Sequence, residues 1–100
     1  MPELKKYKMF IDGEWVDSES KKTFETLNPE NNEPWAVAPE ASAKDVDKAV
    51  KAAQKAFEGE WPKLLPRDRA KFLRAIADQL RKNAEMLGEI ETIDTGKLFR

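Results

Sequence analysis

The chain has 100 residues, 40% apolar and 37% charged, with a formal net charge of -1. That balance fits one soluble domain, and it excludes a disordered tail and a general binder of nucleic acid or anionic membrane, both of which need excess Lys and Arg. There is no Cys and no His, which removes disulfides, thiol nucleophiles, thiolate metal sites and the commonest zinc ligand.

Lys5, Lys6 and Lys8 open the chain without an apolar run of signal-peptide length behind them, and no stretch approaches membrane-spanning length. The expectation is a cytoplasmic protein with no membrane partner. Lys8 to Ile11 and Glu14 to Val16 are short β-prone runs flanking Asp12-Gly13, a pair suited to the positive φ angles of a type I′ turn, so a tight hairpin is predicted. Asp17 to Lys22 is a polar loop. Thr23-Phe24-Glu25-Thr26-Leu27 alternates in the manner of a strand and stops at Asn28-Pro29, since proline has no N–H for a ladder. After the turn-rich Glu30-Asn31-Asn32-Glu33-Pro34, the run Trp35-Ala36-Val37-Ala38 is expected to pair antiparallel with Thr23 to Leu27 in a small meander ended by Pro39.

Ser42-Ala43-Lys44-Asp45 is a variant of the capping box, in which a hydroxyl and a carboxylate meet the orphan N–H groups of a helix start. Val46, Ala49, Val50, Ala53 and Phe57 then recur at helical spacing up to Gly59. Pro66 suits the first turn of a second helix with an apolar face of Ala70, Leu73, Ile76, Ala77 and Leu80, leaving Arg67, Arg69, Lys71 and Arg74 in water. Asn83 is expected to cap a shorter third helix carrying Met86, Leu87, Ile90 and Ile93 inward, with Thr95-Gly96 as its stop. Residues 62 to 83 hold seven basic and two acidic side chains, so a basic helix separates two acidic stretches. No internal boundary divides residues 1–100, and the end at Arg100, shortly after a helix, leads us to expect that the chain continues.

Little in this pattern carries chemistry. The glycines stand at 13, 59, 88 and 96, too sparse for a dinucleotide fingerprint, and Gly96-Lys97 has Glu91 and Leu98 where a phosphate loop needs Gly and Ser or Thr. Glu85 and Glu89 lie one helical turn apart without partner ligands and read as a solvated face. The basic side chains of the second helix lack the interleaved aromatics of a nucleic-acid surface. Trp15, Trp35 and Trp61 flank turns and are expected to anchor loops. Asp94, at the end of an apolar stripe, is the carboxylate most suited to satisfy backbone donors or to join other oxygen atoms around a hard cation.

Taken in order, Phe10-Ile11-Asp12-Gly13-Glu14-Trp15-Val16, Thr23-Phe24-Glu25-Thr26-Leu27-Asn28-Pro29, the Ala41-to-Phe57 helix and Glu91-Thr92-Ile93-Asp94-Thr95-Gly96-Lys97 resemble the N-terminal part of an aldehyde dehydrogenase. The resemblance implies an α/β parent fold, of which these residues form an α+β N-terminal portion of the cofactor domain: a β-hairpin, a small antiparallel meander and three helices. It implies a parent enzyme that oxidises an aldehyde to an acid with NAD or NADP, by attack of a cysteine thiolate, hydride transfer and glutamate-activated hydrolysis. Those catalytic and cofactor-binding residues lie later in the family's sequence, so none is expected in this chain, whose role would be support and assembly with the remainder of the enzyme in a homo-oligomer, a dimer or tetramer. The resemblance also implies a Na+ or K+ ion held by main-chain oxygen of Thr26 and Leu27 and by Asp94, with a further ligand from beyond residue 100. Asn31-Asn32-Glu33-Pro34-Trp35 departs from the family's usual Thr-Gly-Glu turn, and Leu98 stands where many members have proline. The alternative from another class is a stand-alone module that binds a partner protein through its helix pair.

Overall fold

In the computed structural model, residues 3–98 are described; Arg100, at which the chain was expected to continue, lies outside them. The order is β1 (Lys5–Lys6), β2 (Met9–Ile11), β3 (Glu14–Val16), β4 (Thr23–Asn28), β5 (Glu33–Pro39), α1 (Ala43–Glu58), a 3₁₀ turn (Trp61–Lys63), α2 (Pro66–Lys82) and α3 (Ala84–Thr95). The expected hairpin is β2 with β3, turned by Asp12 and Gly13 at φ 52° and 78°, the doubly left-handed backbone of a type I′ turn.

The second sheet is ordered β1-β5-β4. β4 and β5 pair antiparallel as expected, while Lys5 and Lys6 add a parallel third strand opposite Ala36 and Val37, so the sheet is mixed. β5 begins at Glu33, two residues before the expected start. Its register with β4 shifts between Thr26, opposite Ala36, and Leu27, opposite Pro34, so Trp35 is the extra residue of a β-bulge. Pro34, without an N–H to give, sits where the ladder is already broken.

Ser42 and Asp45 complete the capping box at the start of α1. Asp45 does more than that: its carboxylate also accepts the Glu19 N–H, at 3.1 and 3.2 Å to its two oxygens, and so ties the loop after the hairpin to the helix. Ser18 beside it donates to the Lys22 carbonyl, and the two side chains are buried, to 2% and 3% exposure. α3 ends on Gly96 in the left-handed region, as expected. Asn83 does not cap α3 with its side chain; its Nδ2 donates instead to the Gln79 carbonyl one turn behind, which also accepts the Asn83 N–H, so that both groups close the end of α2. Arg69 is likewise drawn from the solvated face expected of it, half-buried and donating to the Leu64 carbonyl at 2.9 Å.

α3 packs on β4, α2 on α3, and α1 against β2 and the 3₁₀ turn. The molecule is a slab of 49 × 37 × 18 Å with a radius of gyration of 17.1 Å, against about 13 Å for a compact domain of this length. Its burial is correspondingly thin: Ala36 on the central strand is the one fully buried apolar residue among those described. The stripes that the helical periodicity predicted are present but uncovered, with Val46, Val50 and Phe57 on α1 and Leu73, Ile76 and Leu80 on α2 all exposed. Trp15 stacks edge-on against Phe10 within its own hairpin and Trp61 tilts against Phe72, so neither anchors a loop into a core.

Candidate functional site

The two most distinctive segments of the sequence, Asn28-Pro29 and Asp94-Thr95-Gly96-Lys97, meet in space. A Cβ built on Gly96 would lie 3.3 Å from the Pro29 ring, so the turn after β4 packs against the C-terminus of α3. At that terminus the Gly96 N–H reaches the Thr92 carbonyl, the Thr95 hydroxyl donates back to the Glu91 carbonyl at 2.7 Å, and Lys97 pairs with Glu91 at 3.1 Å. Each satisfies a helix-end group or lies in water, which leaves Asp94 as the member of the segment whose side chain hydrogen-bonds to the sheet.

One oxygen of Asp94, Oδ1, accepts both the Thr26 hydroxyl at 2.6 Å and the Trp35 indole N–H at 3.2 Å. No hydrogen bond among the described residues engages its other oxygen. Tyr7 meets Trp35 edge-on at 6.2 Å, and a cleft of about 620 Å³ opens between this face of the sheet and α3, lined by Phe24, Thr26, Trp35, Leu87, Ile90 and Asp94 among others. The structure therefore brings Thr26 and Asp94 into direct contact, through the Thr26 hydroxyl rather than the main-chain oxygen expected of it as a ligand. Leu27, the third expected ligand, follows Thr26 across the bulge, and its side chain is not among those lining the cleft. β4 is an edge strand, so part of its row of carbonyls faces away from β5.

Trp35 was not foreseen as a partner of Asp94, because period-2 alternation sends it to the face opposite Ala36 and only the bulge returns it. A Pro two residues after a turn was the one local hint of an irregular ladder. Glu85 and Glu89 are both exposed; among the described residues no group of three or more Asp and Glu side chains could hold a metal ion, and no helix is long and apolar enough to cross a membrane. A smaller cleft, about 400 Å³, lies between the hairpin and α1, where Lys48, Lys51 and Lys55 face Asp12, Asp17 and Glu19. The Lys51 ammonium is held above its ordinary value first by its hydrogen bond to Asp47, then by that carboxylate's charge.

The aldehyde dehydrogenase family model matches residues 15–100. The chain belongs to the aldehyde dehydrogenase family. It is 49% identical over 89 residues to an aldehyde dehydrogenase of Aspergillus niger, covering 89% of this chain and 18% of that protein. With the Arabidopsis thaliana aldehyde dehydrogenase family 2 member C4 it shares 44% over 101 residues, 100% of this chain and 20% of the relative. Among solved structures, an NAD-dependent aldehyde dehydrogenase from Sinorhizobium meliloti superposes with a TM-score of 0.92 at 38% identity, over 96% of this chain and 20% of that one. The NAD+ complex of a Bacillus cereus aldehyde dehydrogenase gives 0.91 at 42%, over 95% and 20%. The chain thus spans about one fifth of the length of these aldehyde dehydrogenases, and its hairpin, sheet and three helices are the arrangement that they share with it.

Proposed function

We propose that residues 1–100 are the N-terminal portion of an NAD(P)-dependent aldehyde dehydrogenase that oxidises an aldehyde to a carboxylic acid, and that by themselves they are catalytically inert. The observation that carries this reading is the superposition of nearly the whole chain on one fifth of an NAD+-bound enzyme, by a segment that has no cysteine to act as nucleophile. The uncovered stripes of α1 and α2 support a packing role against the remainder of the enzyme, within the cofactor domain of a cytoplasmic homo-oligomer, a dimer or tetramer. The polypeptide containing this segment should form NADH or NADPH from an aldehyde, and residues 1–100 alone should not. Reduced cofactor formed by the purified segment would overturn its inertness; none from the longer polypeptide, over aliphatic, aromatic and charged aldehydes, would overturn the activity.

Within the same reading, Thr26 and Leu27 through main-chain oxygen and Asp94 through its carboxylate would hold Na+ or K+. The donor set fits: all are oxygen, the class preferred by hard cations, and one Asp94 oxygen has no hydrogen-bonding partner among the described residues. Such an ion would supply a fixed positive charge between β4 and α3. Binding to the native state alone raises stability with ion concentration, so the melting temperature should rise with K+ or Na+ beyond the effect of tetramethylammonium at equal ionic strength. Equal melting temperatures in all three salts would refute the site.

A further inference from the structure

A β-bulge turns one side chain to a face that alternation denies it, and in this chain the side chain so turned is Trp35. Thr26 and Ala36 are opposed and share the face that looks onto α3; without the extra residue, Trp35 would point to the other side. With it, the indole N–H reaches the same Asp94 oxygen that the Thr26 hydroxyl holds, at 3.2 and 2.6 Å, and Tyr7 closes edge-on over the ring. Two donors from neighbouring strands on one carboxylate oxygen fix the group's orientation and leave the second oxygen to a ligand.

Resting on the cation reading above, we propose that Trp35 is a positioning residue for an alkali cation at Asp94: it does not touch the ion but holds the carboxylate that does. Groups that hydrogen-bond a metal-binding carboxylate set the ligand's direction and basicity, and their loss lowers affinity. Trp35→Phe keeps an aromatic ring against Tyr7 and removes the donor together with the second ring of the indole.

The test uses the complete polypeptide containing this segment, labelled with fluorinated tryptophan, and follows its fluorine NMR spectrum and its melting temperature in KCl, NaCl and tetramethylammonium chloride at equal ionic strength. The resonance lost in Trp35→Phe belongs to Trp35; Trp35→Leu, which also lacks a side-chain donor, serves if the Phe variant does not melt cooperatively. In the unmutated protein that resonance should shift saturably with K+ or Na+ and remain still in tetramethylammonium, and Asp94→Asn should abolish the shift. Either Trp35 variant should need roughly tenfold more cation for half of the thermal stabilisation. A cation-specific rise in melting temperature with a motionless Trp35 resonance and an unchanged midpoint in the variants would overturn the positioning role and spare the site. Absence of any cation-specific rise in the unmutated protein would overturn both.

Discussion

The Thr26 hydroxyl donates to the Asp94 carboxylate at 2.6 Å across 68 residues of sequence, and this bond is the side-chain link between the edge strand β4 and the end of α3. Thr26→Val retains the shape and removes the donor. Hydrogen bonds to charged groups are worth about 1.5–3 kcal/mol, and partial exposure of this pair places the expected loss near 1 kcal/mol. Urea unfolding of the proposed enzyme should show it as a lower midpoint with an unchanged slope. A wild-type midpoint would show that the bond adds nothing.

Asp45 should contribute to the acid limb of stability. Its carboxyl is held below the ordinary value of 3.8 first by the Ser42 N–H, against burial which raises it, and then by the Ser42 hydroxyl, the Glu19 N–H and the charge of Lys48. A pKa depressed in the folded state contributes stability that is complete above the unfolded value and lost as pH falls through the folded one. Asp45→Asn should therefore melt below the unmutated protein at neutral pH, with the difference shrinking once pH falls under 3.8. Melting curves recorded from neutral to strongly acid pH decide it; a constant difference would remove Asp45 from the acid response.

Gly96 and Gly13 both have positive φ, at 79° and 78°, but only Gly96 has a neighbour where a Cβ would go. Alanine in the left-handed region costs roughly 1–2 kcal/mol at either position. Gly96→Ala should exceed Gly13→Ala, because the Pro29 ring must also yield from a 3.3 Å approach. Paired denaturant midpoints test the ordering, and equal losses would show that the Asn28-Pro29 turn moves aside freely.

The stripe on α2 makes opposite predictions in two contexts. Leu73 and Ile76 are 62% and 57% exposed in residues 3–98. In the isolated segment, Ile76→Gln should change stability by no more than about 0.5 kcal/mol and reduce binding of an apolar dye. In the proposed enzyme, where the stripe would be covered, the same change should cost about 2 kcal/mol or more. Equal small effects in both would mean that nothing packs on α2.

What could be read from the sequence was what neighbouring residues decide among themselves. Asp12-Gly13 dictates its turn, Ser42 and Asp45 cap within one helical turn, and Gly96 stops α3 because its own backbone is free to turn left-handed. The partners that lie far away left no such trace. Lys5 and Lys6 carry no strand periodicity, and their pairing with Ala36 and Val37 depends on β5 already standing beside them. The Glu19 N–H finds Asp45 only once the loop folds back over α1, and Trp35 finds Asp94 only through a bulge. At the site, Asp94 and Thr26 were legible through family resemblance, whereas the residue that joins them was not, since an extra residue in a ladder has no spacing signature.

A molecule 18 Å deep is roughly one helix laid on one sheet, and that depth sets how well its amides are shielded from solvent. Among the described residues, the strand flanked on both sides is β5 alone. Slow amide exchange in this segment would therefore centre on Ala36 and its neighbours, with the helices opening by local fraying rather than by global unfolding. Any longer protection found along α1 and α2 in a larger protein would be conferred by what lies against them, which makes exchange rates on those two helices a gauge of their covering rather than of their own hydrogen bonds.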